Sequence, residues 1–253
     1  MKVLAIANQK GGVSKTTTTQ AIATLLNRQG KRSLCVDLDP QANLSFAVGA
    51  DLDDTPTVYN MLKGELTAED ILQYTDTGDI LPANILLSGT DTEFTSPGRE
   101  YMLKEAIKDV SARYEYILID CPPALSLLTL NAFTASDFII VPTMADVFSL
   151  QGMAQLSNTI TGIKKYCNPA LKVAGVLLTR FNPRTKLSNH IQRMLDSTTK
   201  SMDTTLFKTY IRNSISVQES QYQRENMVNY DSKGNAMTDY AKFLDELESV
   251  ING

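Results

Sequence analysis

The sequence predicts an α/β protein, a single doubly wound domain in which helices cover both faces of a mostly parallel sheet. Short apolar, β-branched segments alternate with longer segments of helical periodicity, which is typical of such a sheet. Two of the apolar segments, 116–120 (YILID) and 138–142 (FIIVP), are almost uninterrupted, as in strands that are buried on both faces. No repeat or linker divides the 253 residues, so we expect one domain over residues 1–253.

Strands are predicted where short apolar runs end in polar or turn-forming residues. The predicted strands are 2–8, 33–37, 79–83, 116–120, 138–142, 172–179 and 205–211. Ligands bind at the carboxyl ends of the strands in sheets of this type. Three polar motifs stand at such ends, after Asn8, at 37–41 and at 120–123, so we expect them to share one site.

Helices are predicted where apolar residues recur at intervals of three and four. The predicted helices are 16–30, short segments at 57–64 and 67–74, 99–114, 149–166, 187–202 and 235–251. The first ends at Gly30, a typical helix stop, and Thr67 with Asp70 suits a capping box. The last carries its apolar face at positions 237, 240, 241, 244, 247 and 251.

The composition excludes several classes of protein. With 43% apolar and 21% charged residues the chain can build a globular core, and no apolar run approaches the ~18 residues of a membrane span. The three cysteines, Cys35, Cys121 and Cys167, are odd in number and far apart. A disulfide framework is therefore disfavoured, and a reducing cytoplasm fits.

The net charge of −4 hides a basic segment. Residues 164–212 contain 10 basic and two acidic side chains, a local charge of +8. One interpretation is an ordinary solvated face. The other is a surface for an anionic polymer such as a nucleic acid.

The segment NQKGGVSKTTTT (8–19) resembles a phosphate-binding loop but lacks both glycines of the pattern G-x-x-x-x-G-K-[ST], since Gln9 and Ser14 occupy their places. Gly11 and Gly12 let the backbone curl so that its amides point inward. The positive end of the following helix adds to that field. We expect Lys15 to lie between the β- and γ-phosphates of a nucleotide and the Thr16 hydroxyl to reach Mg²⁺.

Acidic residues follow two of the predicted strands. In VDLDPQ (36–41), Asp37 and Asp39 share a face if the strand continues. One of these carboxylates could hold a metal-bound water, and the other could orient the attacking water. In YILIDCPPA (116–124), Asp120 is placed to meet Mg²⁺ through water, and the prolines stiffen the loop behind it.

Five motifs together resemble the ParA-type partition ATPases, a branch of the deviant Walker A class that also contains MinD. They are KGGVSKTTT, VDLDPQAN, ILIDCPPALSLLTLNA, GVLLTRFNPRTKLS and NYDSKGNAMTDYAKF. The resemblance spans Met1 to about Leu247. It implies a P-loop NTPase-like fold and a slow ATPase with ATP and Mg²⁺ as cofactors, in a domain without an N-terminal helix-turn-helix extension.

The resemblance also implies roles and partners. The protein would form a homodimer around two ATP molecules, with Lys10 crossing to the partner's nucleotide, Asp39 positioning the hydrolytic water and Asp120 as the Walker B acid. Dimers would bind DNA without sequence preference, and a ParB-type centromere-binding protein would stimulate hydrolysis. The location would be cytoplasmic and nucleoid-associated.

The predicted site follows from these motifs. Its catalytic residues are Lys10, Lys15 and Asp39. Its metal residues are Thr16, Asp37 and Asp120. Its nucleotide contacts are Lys10, Gly11, Gly12, Val13, Ser14, Lys15, Thr16 and Thr17, with Arg180, Phe181, Ile211 and Arg212 near the adenine.

Two departures from the family pattern matter. Ser14 stands where glycine is usual, and a positive φ there would cost a serine about 1 kcal/mol or more. We expect a right-handed Ser14, which would be unstrained and able to cap the following helix. In YIRNSISVQES (210–220), Ile215 replaces a basic residue that is expected in DNA-binding members. The remaining candidates for DNA contact, with Arg184 first, are Arg184, Lys186, Lys208, Arg212, Arg224 and Lys233.

Two rival functions remain open. One is an ATP-bound, DNA-associated regulator or scaffold that hardly hydrolyses ATP. The other is a MinD-like positioning ATPase, which needs a basic amphipathic C-terminal helix. The end of the chain, YAKFLDELESVING, is acidic on its polar face, so we expect no membrane partner. Iron–sulfur relatives need closely spaced cysteines, and the sequence has no C-x-x-C.

Overall fold

One sheet forms the centre of the computed structural model, which describes residues 1–75, 77–201, 203–223 and 225–253. Within these residues the sheet has seven strands. They are β1 (Lys2–Ile6), β2 (Ser33–Asp37), β3 (Gln73–Thr75), β4 (Gly78–Leu81), β5 (Tyr116–Asp120), β6 (Phe138–Thr143) and β7 (Lys172–Leu178). Their order is β3-β4-β2-β5-β1-β6-β7, and neighbouring strands are parallel except β3 and β4. The mostly parallel sheet predicted from the sequence is confirmed.

Helices cover both faces of this sheet. They are α1 (Lys15–Arg28), α2 (Asn43–Ala47), α3 (Val58–Leu62), α4 (Ala68–Ile71), α5 (Thr90–Glu93), α6 (Met102–Ala106), α7 (Lys108–Ser111), α8 (Leu127–Ala135), α9 (Val147–Tyr166), α10 (Lys186–Ser201), α11 (Ile215–Tyr222), α12 (Met227–Tyr230) and α13 (Asn235–Asn252), with 3₁₀ turns at Ile85–Gly89 and Arg99–Tyr101. Successive residues of a strand face opposite sides. Val3 and Ala5 therefore join a buried cluster with α8 and α9, whereas Leu4 and Ile6 join a second cluster with α1 and α13.

Two local signals at helix ends, Gly30 and the Thr67–Asp70 capping box, are confirmed. Gly30 follows α1 with a left-handed φ of 77°. The Thr67 amide donates to the Asp70 carboxylate at 2.8 Å, and the Asp70 amide donates to the Thr67 hydroxyl at 3.3 Å. These two bonds form the predicted capping box at the start of α4.

The predicted strand over 205–211 is wrong. An isolated bridge joins Leu206 to β7. The amides of Lys208 and Thr209 donate instead to the carboxylate of Glu246 on α13, at 2.8 and 2.9 Å. Because a side chain takes these two amides, the ladder to β7 is interrupted.

Three predicted helices differ from the structure. In the predicted helix 67–74, only Ala68–Ile71 is helical, and Gln73–Thr75 forms β3. Residues 99–114 form a 3₁₀ turn, α6 and α7 rather than one helix. On α13 the predicted core position Ala241 is exposed, and Phe243 is fully buried in its place. Phe243 lies three residues after Tyr240 and four before Leu247, and this spacing puts all three on one face.

The central strands bring the acidic motifs together. Asp120 is the register partner of Asp37 on β2 and of Ile6 on β1. The carboxyl ends of β1, β2 and β5 therefore lie side by side, at the edge of the sheet from which the glycine loop leaves.

Candidate functional site

A cleft of about 590 Å³ opens at these carboxyl ends, a size that suits a small ligand. Its residues form two groups. The first wall consists of the loop residues Gly11, Gly12, Ser14, Lys15, Thr16 and Thr17 with Asp39 and Gln41. The second wall consists of Arg180, Ile211, Arg212, Asn213, Ser214, Val217 and Gln218. Asn43, Phe46, Ala47, Pro123 and Tyr240 complete the lining.

The backbone of the loop corrects the expectation for Ser14. Gly12 has a φ of 74°, as its lack of a side chain allows. Ser14 has φ 66° and ψ 32°, which is left-handed, and its side chain makes no capping bond. The sequence-based prediction of a right-handed, helix-capping Ser14 is wrong on both points.

Contacts from outside the loop explain why this conformation persists. The side chain of Asn8 donates to the carbonyl of Pro142 at 2.7 Å and accepts from the Lys10 amide at 3.0 Å. The hydroxyl of Thr179, at the end of β7, donates to the carbonyl of Val13 at 3.0 Å. The residue before Ser14 is thus tied to β7, and the surrounding fold sets its turn rather than the preference of the serine.

Lys15 is a buried cation beside buried acids. It is 8% exposed, and its Nζ donates to the carbonyl of Lys10 at 3.2 Å. Burial lowers the pKa of the Lys15 ammonium group, against the opposing attraction of Asp120, Cys121 and Asp39. A group that loses hydration in this way gains most from a bound anion.

Asp120 accepts hydrogen bonds from two hydroxyl groups near the start of α1. It is fully buried and accepts from the Thr16 hydroxyl at 2.6 Å and from the Thr19 hydroxyl at 3.5 Å. Burial, followed by the neighbouring Asp37, raises the pKa of Asp120 well above its usual range. A bound cation would favour the ionised form of this carboxyl group.

Asp37 holds the turn that follows β2. One of its oxygens accepts from the Asp39 amide at 3.0 Å, and the other accepts from the amide and hydroxyl of Ser45 at 2.9 and 2.7 Å. Burial raises the pKa of Asp37 to about 6, although these bonds oppose the shift. Both oxygens are engaged within the protein, so any metal ion would have to share them.

Asp39 lies beyond the strand, because β2 ends at Asp37. Its Oδ1 accepts from the Gln41 amide at 3.0 Å, and its side chain lines the cleft at 8% exposure. The turn therefore places the side chain of Asp39 in the cleft, whereas Asp37 lies beneath the cleft and does not line it.

Lys10 is paired within its own chain. Its Nζ contacts the carboxylate of Asp146, the N-cap of α9, whose other oxygen accepts from the Ser149 amide at 3.0 Å. Burial alone would raise the pKa of Asp146, but the bonds from Lys10 and Ser149 outweigh it and lower that pKa. Lys10 is thereby directed away from the cleft that Lys15 lines.

The second wall joins two segments that are distant in sequence. The Phe181 amide donates to the carbonyl of Ile211 at 2.9 Å, and a parallel bridge pairs Phe181 with Arg212. Arg180 has a φ of 50°, left-handed for a residue with a side chain. The two segments predicted near the adenine thus lie together, with Arg180, Ile211 and Arg212 in the cleft.

Two predicted nucleotide contacts lie behind the cleft. Val13 is fully buried, and Phe181 is 2% exposed and packs edge-on against Tyr210 with ring centroids 4.9 Å apart. They support the two walls from within. Several lining residues carried no local sequence signal, including Phe46 and Tyr240, because only the packing of α2 and α13 brings them to the loop.

The candidate DNA contacts divide into groups. Arg184, Lys186, Lys208 and Lys233 are exposed. Arg212 lines the cleft and is paired with Asp239 on α13, Nη2 to Oδ1 at 2.7 Å. Arg224 lies outside the described residues.

No helix in the described part of the chain has both the length and the apolar character to cross a membrane.

Comparisons with known proteins show the family to which the chain belongs. A family model described as an AAA domain matches residues 1–173. The sporulation initiation inhibitor protein Soj of Bacillus subtilis is 36% identical over 250 residues, which cover 97% of this chain and 98% of that protein. The chromosome partitioning protein ParA of Caulobacter vibrioides is 41% identical over 199 residues, which cover 76% of this chain and 74% of that protein.

A solved structure extends the match to the fold. Cobyrinic acid a,c-diamide synthase from Mycobacterium smegmatis, crystallised with an ATP analogue and magnesium, is 35% identical, with a TM-score of 0.86 over 97% of this chain and 93% of that one. The chain belongs to the ParA-type partition ATPases of the ParA/MinD superfamily of P-loop proteins.

Proposed function

We propose that this protein is an ATP-dependent DNA partition ATPase. It binds ATP with Mg²⁺, dimerises in that state, binds DNA without sequence preference, and hydrolyses ATP slowly until a ParB-type partner stimulates it. The observation that carries the proposal is the buried Lys15 facing the cleft beside Asp39 and Asp120. The location that follows is cytoplasmic and nucleoid-associated.

The first wall suits a triphosphate. Loop amides and the start of α1 supply positive potential, and Lys15 adds a desolvated cation. The related M. smegmatis structure holds an ATP analogue and magnesium, which supports the same ligands here. The second wall, with Arg180, Ile211 and Asn213, is then left for the nucleoside.

The oxygens beside Lys15 fit Mg²⁺. The Thr16 hydroxyl and the Asp120 carboxylate are hard oxygen donors within 2.6 Å of each other, and Mg²⁺ binds such groups together with waters and phosphates. Bound there, the ion would neutralise charge that develops on the phosphates. Asp37 supports the turn and is a weaker candidate ligand, since Ser45 and the Asp39 amide already use its oxygens.

Hydrolysis needs a positioned water and a second cation. Asp39 reaches the cleft with one carboxylate oxygen bonded to the Gln41 amide, so its orientation is fixed for holding a water. Lys10 is the candidate for the second cation, supplied to the partner's nucleotide as an arginine finger is. Lys10 must leave Asp146 to do so, and this step accounts for slow turnover in the monomer.

The exposed cations around α10 are the proposed DNA surface. Arg184 and Lys186 lie at its start, within a segment of net charge +8. Contacts of this kind release counterions, so DNA affinity should fall steeply with salt. Arg212 is assigned to the nucleotide cleft instead, because Asp239 already neutralises its charge.

The decisive experiment measures ATP turnover of the wild-type protein alone, with DNA, and with DNA plus a ParB-type protein. We expect stimulation by the complete mixture and loss of turnover in Lys15→Ala. Turnover no higher than that of Lys15→Ala under every condition would instead favour the regulator or scaffold. Turnover that depends on added cobyrinic acid would favour the activity named for the M. smegmatis protein.

A second experiment tests the proposed DNA surface with a charge-reversal variant. Arg184→Glu should weaken ATP-dependent DNA binding by about tenfold and lower the salt dependence of the affinity. Lys104→Glu, an exposed lysine on α6 outside the basic segment, is the matched control. Equal DNA affinity in both variants would remove Arg184 from the interface.

A further inference from the structure

The C-terminal helix α13 places two adjacent side chains at the cleft. Tyr240 lines it, and Asp239 holds Arg212, which also lines it. The apolar periodicity of α13 predicts Tyr240 only as a core residue, and no sequence motif includes Asp239 as a site residue. Both residues are buried, at 1% and 6% exposure.

Asp239 binds both the backbone and the side chain of Arg212. Its Oδ2 accepts from the Arg212 amide at 3.0 Å and from Nε at 2.8 Å, and its Oδ1 accepts from Nη2 at 2.7 Å. The two guanidinium bonds form a bidentate fork, which fixes orientation as well as charge. The amide bond fixes the peptide itself, so Asp239 sets the path of the chain at 212.

That path forms the second wall. Arg212 is bridged to Phe181 and continues directly into Asn213 and Ser214, which line the cleft. Nη2 of Arg212 also donates to the carbonyl of Asn235, at the start of α13, at 3.3 Å. The second wall is therefore held to α13 by the bonds of Arg212 to Asp239 and to the carbonyl of Asn235.

The same helix touches the first wall. The hydroxyls of Tyr240 and Thr18 are 3.0 Å apart, and Thr18 lies in the first turn of α1, directly after the loop. Neighbouring residues of α13 thus contact both walls, although no motif joins them in sequence.

We propose that Asp239 is a positioning residue for the nucleoside part of the bound nucleotide. Asp239 acts through Arg212, which holds residues 211–214 against the purine and ribose. The contacts of the first wall with the phosphates do not depend on Asp239. The inference rests on the proposed function, in which the cleft holds ATP.

Glu246 provides a matched control on the same helix. Its carboxylate also accepts two backbone amides, those of Lys208 and Thr209, from the segment that leads to Arg212. It lies seven residues further along α13 and does not line the cleft. Glu246→Gln removes the same kind of bond without touching the second wall.

The experiment compares the dissociation constants of Mg²⁺-ATP and of Mg²⁺-tripolyphosphate, which lacks the nucleoside. Asp239→Asn should raise the dissociation constant of Mg²⁺-ATP about tenfold or more, because asparagine cannot form the bidentate fork that orients Arg212. It should change the dissociation constant of Mg²⁺-tripolyphosphate by less than about twofold. Glu246→Gln should change neither. In turnover, Asp239→Asn should raise KM while kcat is kept.

The inference would be overturned if Asp239→Asn weakened the binding of both ligands equally. It would also be overturned if this variant bound ATP as tightly as the wild-type protein. Should Asp239→Asn fail to fold, Arg212→Lys, which keeps the charge and loses the fork, must show the same selective loss toward ATP. The proposed function fails in a different way, since the wild-type protein would then bind neither ligand.

Discussion

The two walls of the cleft are built in different ways. The first wall is one short stretch, Gly11 to Thr17, joined by Asp39 from the neighbouring strand end. The second wall combines Arg180 with residues 211–218 and depends on Asp239 of α13 for its position. In the proposed function, the first wall would contact the phosphates of ATP and the second wall its nucleoside.

The difference shows where each wall is fixed. The parallel ladder of β1, β2 and β5 places the acids of the first wall, and Asn8 and Thr179 anchor its loop. The second wall lies outside the sheet and is held by the bridge between Phe181 and Arg212 and by the partly exposed ion pair of Arg212 with Asp239. A change in the first wall should therefore alter catalysis, and a change in the second should alter affinity.

The largest expected effect is at Asp39. Asp39→Ala removes the carboxylate that we propose orients the attacking water, and it should lower kcat about 100-fold. The ATP dissociation constant should stay within about threefold, because the phosphate contacts of the loop remain. Single-turnover kinetics and equilibrium ATP binding measure the two quantities.

Asp109→Ala, at an exposed carboxylate of α7, is the control for Asp39→Ala and should leave both quantities unchanged. A tenfold loss of ATP affinity in Asp39→Ala would contradict the division of labour between the walls.

A smaller effect is expected at Ser14. Its left-handed φ of 66° penalises any residue with a Cβ, so Ser14→Gly should raise the free energy of unfolding by about 1 kcal/mol. Ser14→Ala should change it little, since the hydroxyl makes no capping bond. Denaturant unfolding of the ligand-free protein measures both variants, and a destabilised glycine variant would count against strain at this position.

The smallest effect is expected at Asp146. Its pair with Lys10 is about one-third exposed on each side, so the pair contributes at most about 1 kcal/mol. Asp146→Asn keeps the cap on Ser149, because asparagine also caps helices, and frees Lys10. ATP-dependent dimerisation should strengthen by about two- to fivefold.

Sedimentation of the Asp146→Asn variant in an Asp39→Ala background, where ATP persists, measures this change. Weaker dimerisation than in Asp39→Ala alone would show that the pair with Asp146 assists dimerisation rather than opposing it.

The sequence by itself determined the parallel centre of the sheet and the main residues of the first wall. The central strands are continuous apolar runs, and Lys15, Thr16, Asp39 and Asp120 follow strand ends at short offsets. A strand end and a helix start are local features, so their geometry can be predicted from spacing alone. The family resemblance also followed from these residues, and the comparisons confirm it.

Only the tertiary structure decided the handedness of Ser14, the path of 205–211 and the second wall. Thr179 constrains the first of these through the carbonyl of Val13, 166 residues away. Glu246 interrupts the predicted strand by accepting the consecutive amides of Lys208 and Thr209. The second wall depends on Asp239, whose partner Arg212 lies 27 residues earlier. Each is a hydrogen bond between distant segments, and local preference cannot predict it because the partner is chosen by packing.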